Sequence, residues 1–177
     1  MAIDTSRLLY EQWVRTLAPE LYRFAYRMAG NHQVAEDLVQ ETFVEAWRSI
    51  DRQREPDKAR AWFYQILRYR YAHHVRDRSH RIQAGALDDQ GAVAQRAQPA
   101  LEALAEREQL QLALDLLAPE IRETFLMVFL QGYKCREAAD DLQVPLGTVL
   151  SRLSRARTVL RQALESRAVP QGGRNTA

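Results

Sequence analysis

Thr148, Ser151, Arg152 and Arg155 stand at i, i+3, i+4 and i+7 in the stretch VPLGTVLSRLSRAR. On a helix this spacing gathers two hydroxyls and two guanidiniums on one face. Arginine forks onto guanine or neutralises phosphate, and hydroxyls hydrogen-bond to phosphates or bases. Such a face is suited to meeting a polyanion. The positions between them, Val149, Leu153, Ala156 and Leu160, are apolar. An ordinary amphipathic helix with a solvated basic face has the same layout. Upstream, Arg60, Tyr64, Arg68, Tyr71 and Arg78 step by four, four, three and seven. That interleaves cations with flat rings on one face, where a single strand could be held by phosphate contacts and stacking. Tyr64 and Tyr71 could instead cap a hydrophobic core, the commoner place for an aromatic in a helix.

Other chemistry is poorly supplied. His73, His74 and His80 have no ligand spacing with Cys135 that resembles a zinc motif, and the adjacent His73 and His74 point to different helix faces. There is no glycine-rich phosphate loop, nucleophile elbow or plausible base-and-nucleophile pair. No metal, cofactor or catalytic site is expected.

The elements that must carry these faces all have a helical period. Leu17, Leu21, Phe24 and Met28 step by four, three and four, and Gly30-Asn31 offers a stop. Val39, Phe43, Ala46 and Ile50 repeat that stepping. DRQREPDK, Asp51 to Lys58, reads as a charged loop. A third helix is expected from about Ala59 to Arg78, with Trp62 on its apolar stripe beside Ile66. Residues 82–100 are rich in Ala, Gln and Gly and poor in apolar anchors; they read as a linker. A second helical block follows. Leu101, Leu104, Leu112 and Leu116 belong to its first helix. APEIRETFLMVFLQGY is its second, with Pro119 in the first turn and Gly132 at the end. CREAADDLQVPLGTVLSRL has the layout of a helix-turn-helix, with small Ala138 and Ala139 where a second helix approaches and Leu142 and Val144 around the turn. The expected architecture is all-α: a domain over 1–81, a linker over 82–100, a helix-turn-helix domain over 101–168 and a disordered tail over 169–177.

Charge follows the same division. Residues 56–82 carry seven basic and two acidic side chains, and 133–177 carry eight and four. Between them, 83–132 carry three and eight. Two basic islands separated by acidic sequence suggest two contacts with a polyanion, although solvated helix faces account for either island alone. A single cysteine excludes an internal disulfide and fits a reducing cytosol. No apolar run approaches ~20 residues, so no membrane insertion is expected, and MAIDTSRLLYEQW lacks the order of a signal peptide.

Two stretches together resemble a known group. LAPEIRETFLMVFLQGYKCREAADDLQVPLGTVLSRLSRARTVLRQAL is similar to the C-terminal domain of bacterial sigma factors of the extracytoplasmic-function group. LYRFAYRMAGNHQVAEDLVQETFVEAW and RAWFYQILRYRYAHHVRDR resemble the N-terminal domain of the same group, in the right order.

The resemblance implies a non-catalytic initiation factor. It would join core RNA polymerase, direct it to promoter DNA and help open the −10 element, with its helix-turn-helix on the −35 element. It implies that Asp37, Gln40, Glu41 and Arg48 grip the β′ clamp helices, and that the second domain meets the β flap. It implies that the third helix and the Asp51–Lys58 loop capture an unpaired −10 base, that Trp62 is core, and that an anti-sigma factor is a candidate partner. This chain departs from the group at Tyr69 (usually Asn), His73 (usually Asp), Gln143 (usually Gly) and Leu150 (usually Lys). Two other classes compete: a helix-turn-helix regulator acting without polymerase, which leaves the Asp37–Arg48 face idle, and a small nuclease, for which no carboxylate cluster is present.

Overall fold

A computed structural model describes residues 2–53, 55–83 and 101–168. The chain divides into two compact units, Met1–Gln95 and Arg96–Ala177. Among the described residues there are seven α-helices and no strand.

The first unit holds α1 (Ala2–Ala29), α2 (His32–Arg48) and α3 (Ala59–Gln83), each packed on the other two. The stripe Leu17, Leu21, Phe24 and Met28 is buried, and Phe63 and Leu67 of α3 meet it in the core. Gly30 breaks α1 from α2 with φ +67°, a conformation that glycine takes at little steric cost. Asn31 then caps α2, its Oδ1 accepting the Val34 N–H at 3.0 Å. Trp62 is half-buried, edge-on to Trp13 and Phe63, so it is part of the packing.

Three sequence expectations shift here. Ile50 lies beyond α2, in a 3-10 turn (Ile50–Arg52). The charged loop contains a second 3-10 turn, Pro56–Lys58, which leads directly into α3. And α3 runs on to Gln83, so Ile82 and Gln83 belong to the helix and not to a linker. Residues 84–100, the rest of the expected linker, and the tail at 169–177 lie outside the described residues.

The second unit holds α4 (Leu101–Asp115), α5 (Pro119–Phe129), α6 (Cys135–Leu142) and α7 (Leu146–Ala168). α7 packs on the other three. The α6–α7 pair is built on Ala138, Ala139, Val149, Leu153 and Met127, with Leu142 and Val144 around the turn. Small residues at 138 and 139 let the two helices approach, as their positions predict. Of the four leucines expected in this helix, Leu101, Leu104 and Leu112 lie in α4 and Leu116 does not. Leu112 is exposed and Leu116 lies past the end of the helix, while Ala113, Leu114 and Leu117 are buried. The helix stops at Asp115, whose carboxylate pairs with Arg122 of α5 at 3.1 Å. The side chains of Leu101 and Leu104 are outside the described ones.

Gln143 ends α6 in the left-handed region, at φ 53° and ψ 43°. Its neighbour Val144 donates its N–H to Ala139 O at 3.0 Å, closing the turn. A side chain in that conformation costs about 1 kcal/mol relative to glycine. Gln143→Gly is therefore expected to stabilise the second unit by up to about 1 kcal/mol, read as a raised urea midpoint with unchanged slope. A lowered midpoint would mean the glutamine makes a contact that outweighs its backbone strain.

Candidate nucleic-acid interface

The basic face of α7 is present but turned by one residue from the expected stripe. Ser151 and Arg155 are exposed, and Leu150, Ser154 and Thr158 share their side of the helix. Thr148 and Arg152 are half-buried at its edge. Arg152 reaches back across the unit, its Nη1 donating to Thr124 Oγ1 of α5 at 3.3 Å. Thr124 is itself fully buried and donates to Glu120 O. Ser151 Oγ donates to Thr148 O at 2.9 Å, so its lone pairs still face outward as acceptors. Val149, Leu153, Ala156 and Leu160 are all buried, which fixes the rotation of the helix. Ser154 was missed by the sequence reading, and Leu150 entered it only as a departure from the group. The i, i+3, i+4 stepping through 147, 150, 151, 154 and 155 was available to find them.

The cation-and-ring stripe of α3 is corrected. Tyr64 is only 3% exposed and Arg68 is also buried. The Tyr64 ring meets Phe24 of α1 edge-on at 5.3 Å. Its hydroxyl lies 3.4 Å from Glu20 Oε2 of α1. Burial, more than any neighbouring charge, pushes that hydroxyl up to about 12. Tyr71 is half-buried and donates its hydroxyl to Met28 O at 2.8 Å. Arg60 is exposed but paired with Glu20 at 3.0 Å, its guanidinium over the Tyr64 ring. Arg78 is exposed further along the helix. The face expected to hold a strand is thus the face that α1 occupies. The physical reason is that Tyr64 and Tyr71 offer more apolar area than the charges around them cost, so the packing takes them. A cavity of about 260 Å³ lined by Tyr71, His74 and Arg78 lies at the ends of α1 and α3. Burial lowers the His74 pKa from its ordinary value, which favours the neutral ring there.

Asp37, Gln40, Glu41 and Arg48 are all exposed on α2. Asp37 accepts from Gln33 Nε2 at 3.1 Å. Between these polar residues, Val44 and Trp47 are exposed as well. Tyr10 of α1 supports Trp47 from behind, edge-on at 4.9 Å, and its hydroxyl donates to Phe43 O at 2.8 Å. The α2 face therefore has an apolar centre and charged ends, the usual anatomy of a protein-binding patch. Glu45 is directed the other way, onto Arg70 of α3 at 2.8 Å. No group of three or more His, Cys, Asp or Glu that could hold a metal ion occurs among the described residues. No helix among them is long and apolar enough to cross a membrane.

Comparison with known proteins agrees with this geometry. Residues 13–81 match the family described as Sigma-70 region 2, and residues 107–160 match Sigma-70, region 4. The chain is 35% identical over 159 residues to the ECF RNA polymerase sigma factor SigE of Mycolicibacterium smegmatis, covering 88% of this chain and 61% of that relative. It is 34% identical to EcfG of Rhodopseudomonas palustris, covering 80% of this chain and 77% of EcfG. It is 31% identical to SigL of Mycobacterium tuberculosis, covering 92% and 90%. Among solved structures, the sigma factor RpoE of Bartonella quintana, crystallised with the anti-sigma factor NepR, is 28% identical. It superposes with a TM-score of 0.73 over 88% of this chain and 96% of that one. CnrH, solved with the cytosolic domain of CnrY, shares the fold at a TM-score of 0.64 and 24% identity, covering 89% of this chain and 88% of CnrH.

Proposed function

The chain belongs to the extracytoplasmic-function sigma factors of bacterial RNA polymerase, and from that premise we propose how its two units share the work of promoter-specific initiation. The first unit docks on core polymerase through α2. Asp37, Gln40, Glu41 and Arg48 meet the β′ clamp helices, and Val44 and Trp47 are the apolar centre of that contact. The observation that carries this reading is the α2 face itself: four exposed polar residues around an exposed tryptophan that Tyr10 holds in place. A regulator that never met polymerase would have no use for it.

The second unit docks on the β flap and reads the −35 element. Ser151 and Arg155 approach the DNA, with Thr148 and Arg152 at the edge of the contact. The outward basic face of α7 supports this. Arg60 and Arg78 supply positive potential near the −10 element. The protein catalyses no step of its own, works in the cytoplasm where polymerase is, and is held in check by an anti-sigma factor.

The α7 geometry separates Arg152 from Arg155. Arg155→Ala should weaken −35 binding by about 1–3 kcal/mol if the guanidinium reads guanine, with thermal stability unchanged. Arg152→Ala should also lower stability, because Thr124 loses a donor. Equal DNA affinity for wild type and Arg155→Ala, measured by fluorescence anisotropy on a −35 duplex, would move the reading face elsewhere. The proposal as a whole is tested by mixing the purified protein with core polymerase and following gel filtration. Co-elution with core is expected. A dimer that ignores core yet binds duplex tightly would instead make it a helix-turn-helix regulator.

A further inference from the structure

α3 carries an aromatic ring that the packing does not use. Trp62, Phe63, Tyr64 and Tyr71 of this helix all pack against other side chains or bond to backbone. Tyr69 does not follow them. It is 61% exposed, and the His73 ring stands against it edge-on at 4.6 Å. A phenol ring left largely in water on one side is not remarkable alone. Its surroundings make it so. The helix face that bears Tyr69 carries Gln65 one turn before it, small Ala72 one turn after it and Arg76 two turns after it, all exposed. His73, also one turn after it, is the one ring that meets Tyr69 among the described residues, and the rest of the phenol is left to solvent. The segment around it, residues 56–82, has seven basic and two acidic side chains. Arg70, next in sequence, is directed back to Glu45, so it does not cover the ring.

A largely exposed aromatic ring in a strongly positive segment is the arrangement that holds unpaired bases: phosphates are attracted to the cations and a base lies on the ring. We propose that Tyr69, positioned by His73, is the stacking platform for an unpaired promoter base, the role that the buried Tyr64 and the backbone-bonded Tyr71 do not fill. The assignment rests on the sigma-factor reading and adds a specificity consequence to it. Every base has a π-face, so stacking tolerates any base where hydrogen bonding would demand one. The promoter position that meets Tyr69 is therefore weakly discriminated by this contact.

The test uses holoenzyme formed from the full chain and core polymerase. A base analogue, 2-aminopurine, is placed in turn at each non-template position of the −10 element. Wild type should quench its fluorescence at one position, and Tyr69→Phe should quench it equally, because the ring and not the hydroxyl does the stacking. Tyr69→Ala should lose the quench and shorten the open-complex half-life by roughly 5- to 100-fold, with an unchanged melting temperature. It should initiate as well as wild type on a template already melted at −10. If Tyr69→Ala keeps both quench and half-life on a promoter where wild type initiates, the platform is elsewhere. If Tyr69→Phe loses as much as Tyr69→Ala, the hydroxyl carries the contact and stacking is overturned. Failure of wild type to initiate on duplex would count against the sigma-factor assignment itself, and so against this one with it.

Discussion

Replacing Asp37 and Glu41 together with lysine should abolish measurable assembly with core polymerase at concentrations where wild type is saturated. Both side chains are exposed on α2, so lysine fits at either position without repacking, and Glu41 gives up only a charge interaction with His74 of α3. Asp37 loses only a surface hydrogen bond from Gln33. The fold should therefore survive, with far-ultraviolet circular dichroism and melting temperature close to wild type. At an interface that favours acidic side chains, reversing two charges places like charges together, which costs several kcal/mol. A loss of even ~4 kcal/mol is close to a thousandfold in affinity. Trp47→Ala is an independent check on the same surface. A central tryptophan held in place from behind has the character of a hot spot, so its loss should cost ~2 kcal/mol or more. It also removes the edge-on contact with Tyr10, so the melting temperature must be measured beside the affinity. Unchanged affinity in the double charge reversal, with helicity retained, would place the polymerase contact on another face.

Tyr64→Ala should destabilise the first unit severely, by about 3–5 kcal/mol in line with aromatic truncations in cores. The ring fills the space between α3 and Phe24 of α1, and the hydroxyl reaches Glu20. Its removal opens a cavity and leaves the Arg60 guanidinium without the ring beneath it. The defect should appear as a lower melting temperature. It should impair initiation on duplex and pre-melted templates alike, because too little folded protein remains for either. Tyr64→Phe should recover most of the loss, since the ring does the packing. A Tyr64→Ala protein as stable as wild type, defective only on duplex, would contradict the burial and return Tyr64 to a strand-facing role.

The pattern of right and wrong expectations has a physical basis. The helices were legible because their apolar residues recur at helical spacing and their ends carry specific signals: Gly30 and Asn31 between α1 and α2, Pro119 at the start of α5, Gly132 before α6. The interior of the helix-turn-helix was legible too, since Ala138, Ala139, Val149 and Leu153 must all face inward for two helices to approach. The rotation of a mixed face was not. On α3, cations and tyrosines share one stripe, and spacing alone does not decide whether a tyrosine faces water or a neighbouring helix. The structure sends Tyr64 inward and leaves Tyr69 outside, and Tyr69 belongs to no periodic set that the sequence reading used. On α7 the error was one residue of rotation, enough to tie Arg152 to Thr124 and leave Arg155 exposed. On α2 the polar residues were found, whereas Val44 and Trp47 were passed over because apolar residues are expected inside.

Every assignment above depends on this chain conferring promoter recognition on core polymerase. That capacity is tested most directly by run-off transcription with purified bacterial core polymerase, with and without the protein, on a library of genomic fragments, followed by mapping of start sites. The account predicts transcripts that depend on added protein, with start sites sharing one −35 and one −10 sequence. It predicts that Asp37→Lys/Glu41→Lys abolishes them and that Arg155→Ala reduces them on −35-dependent promoters. Transcription indifferent to the protein, or repressed by it at sites it binds alone, would contradict the claim.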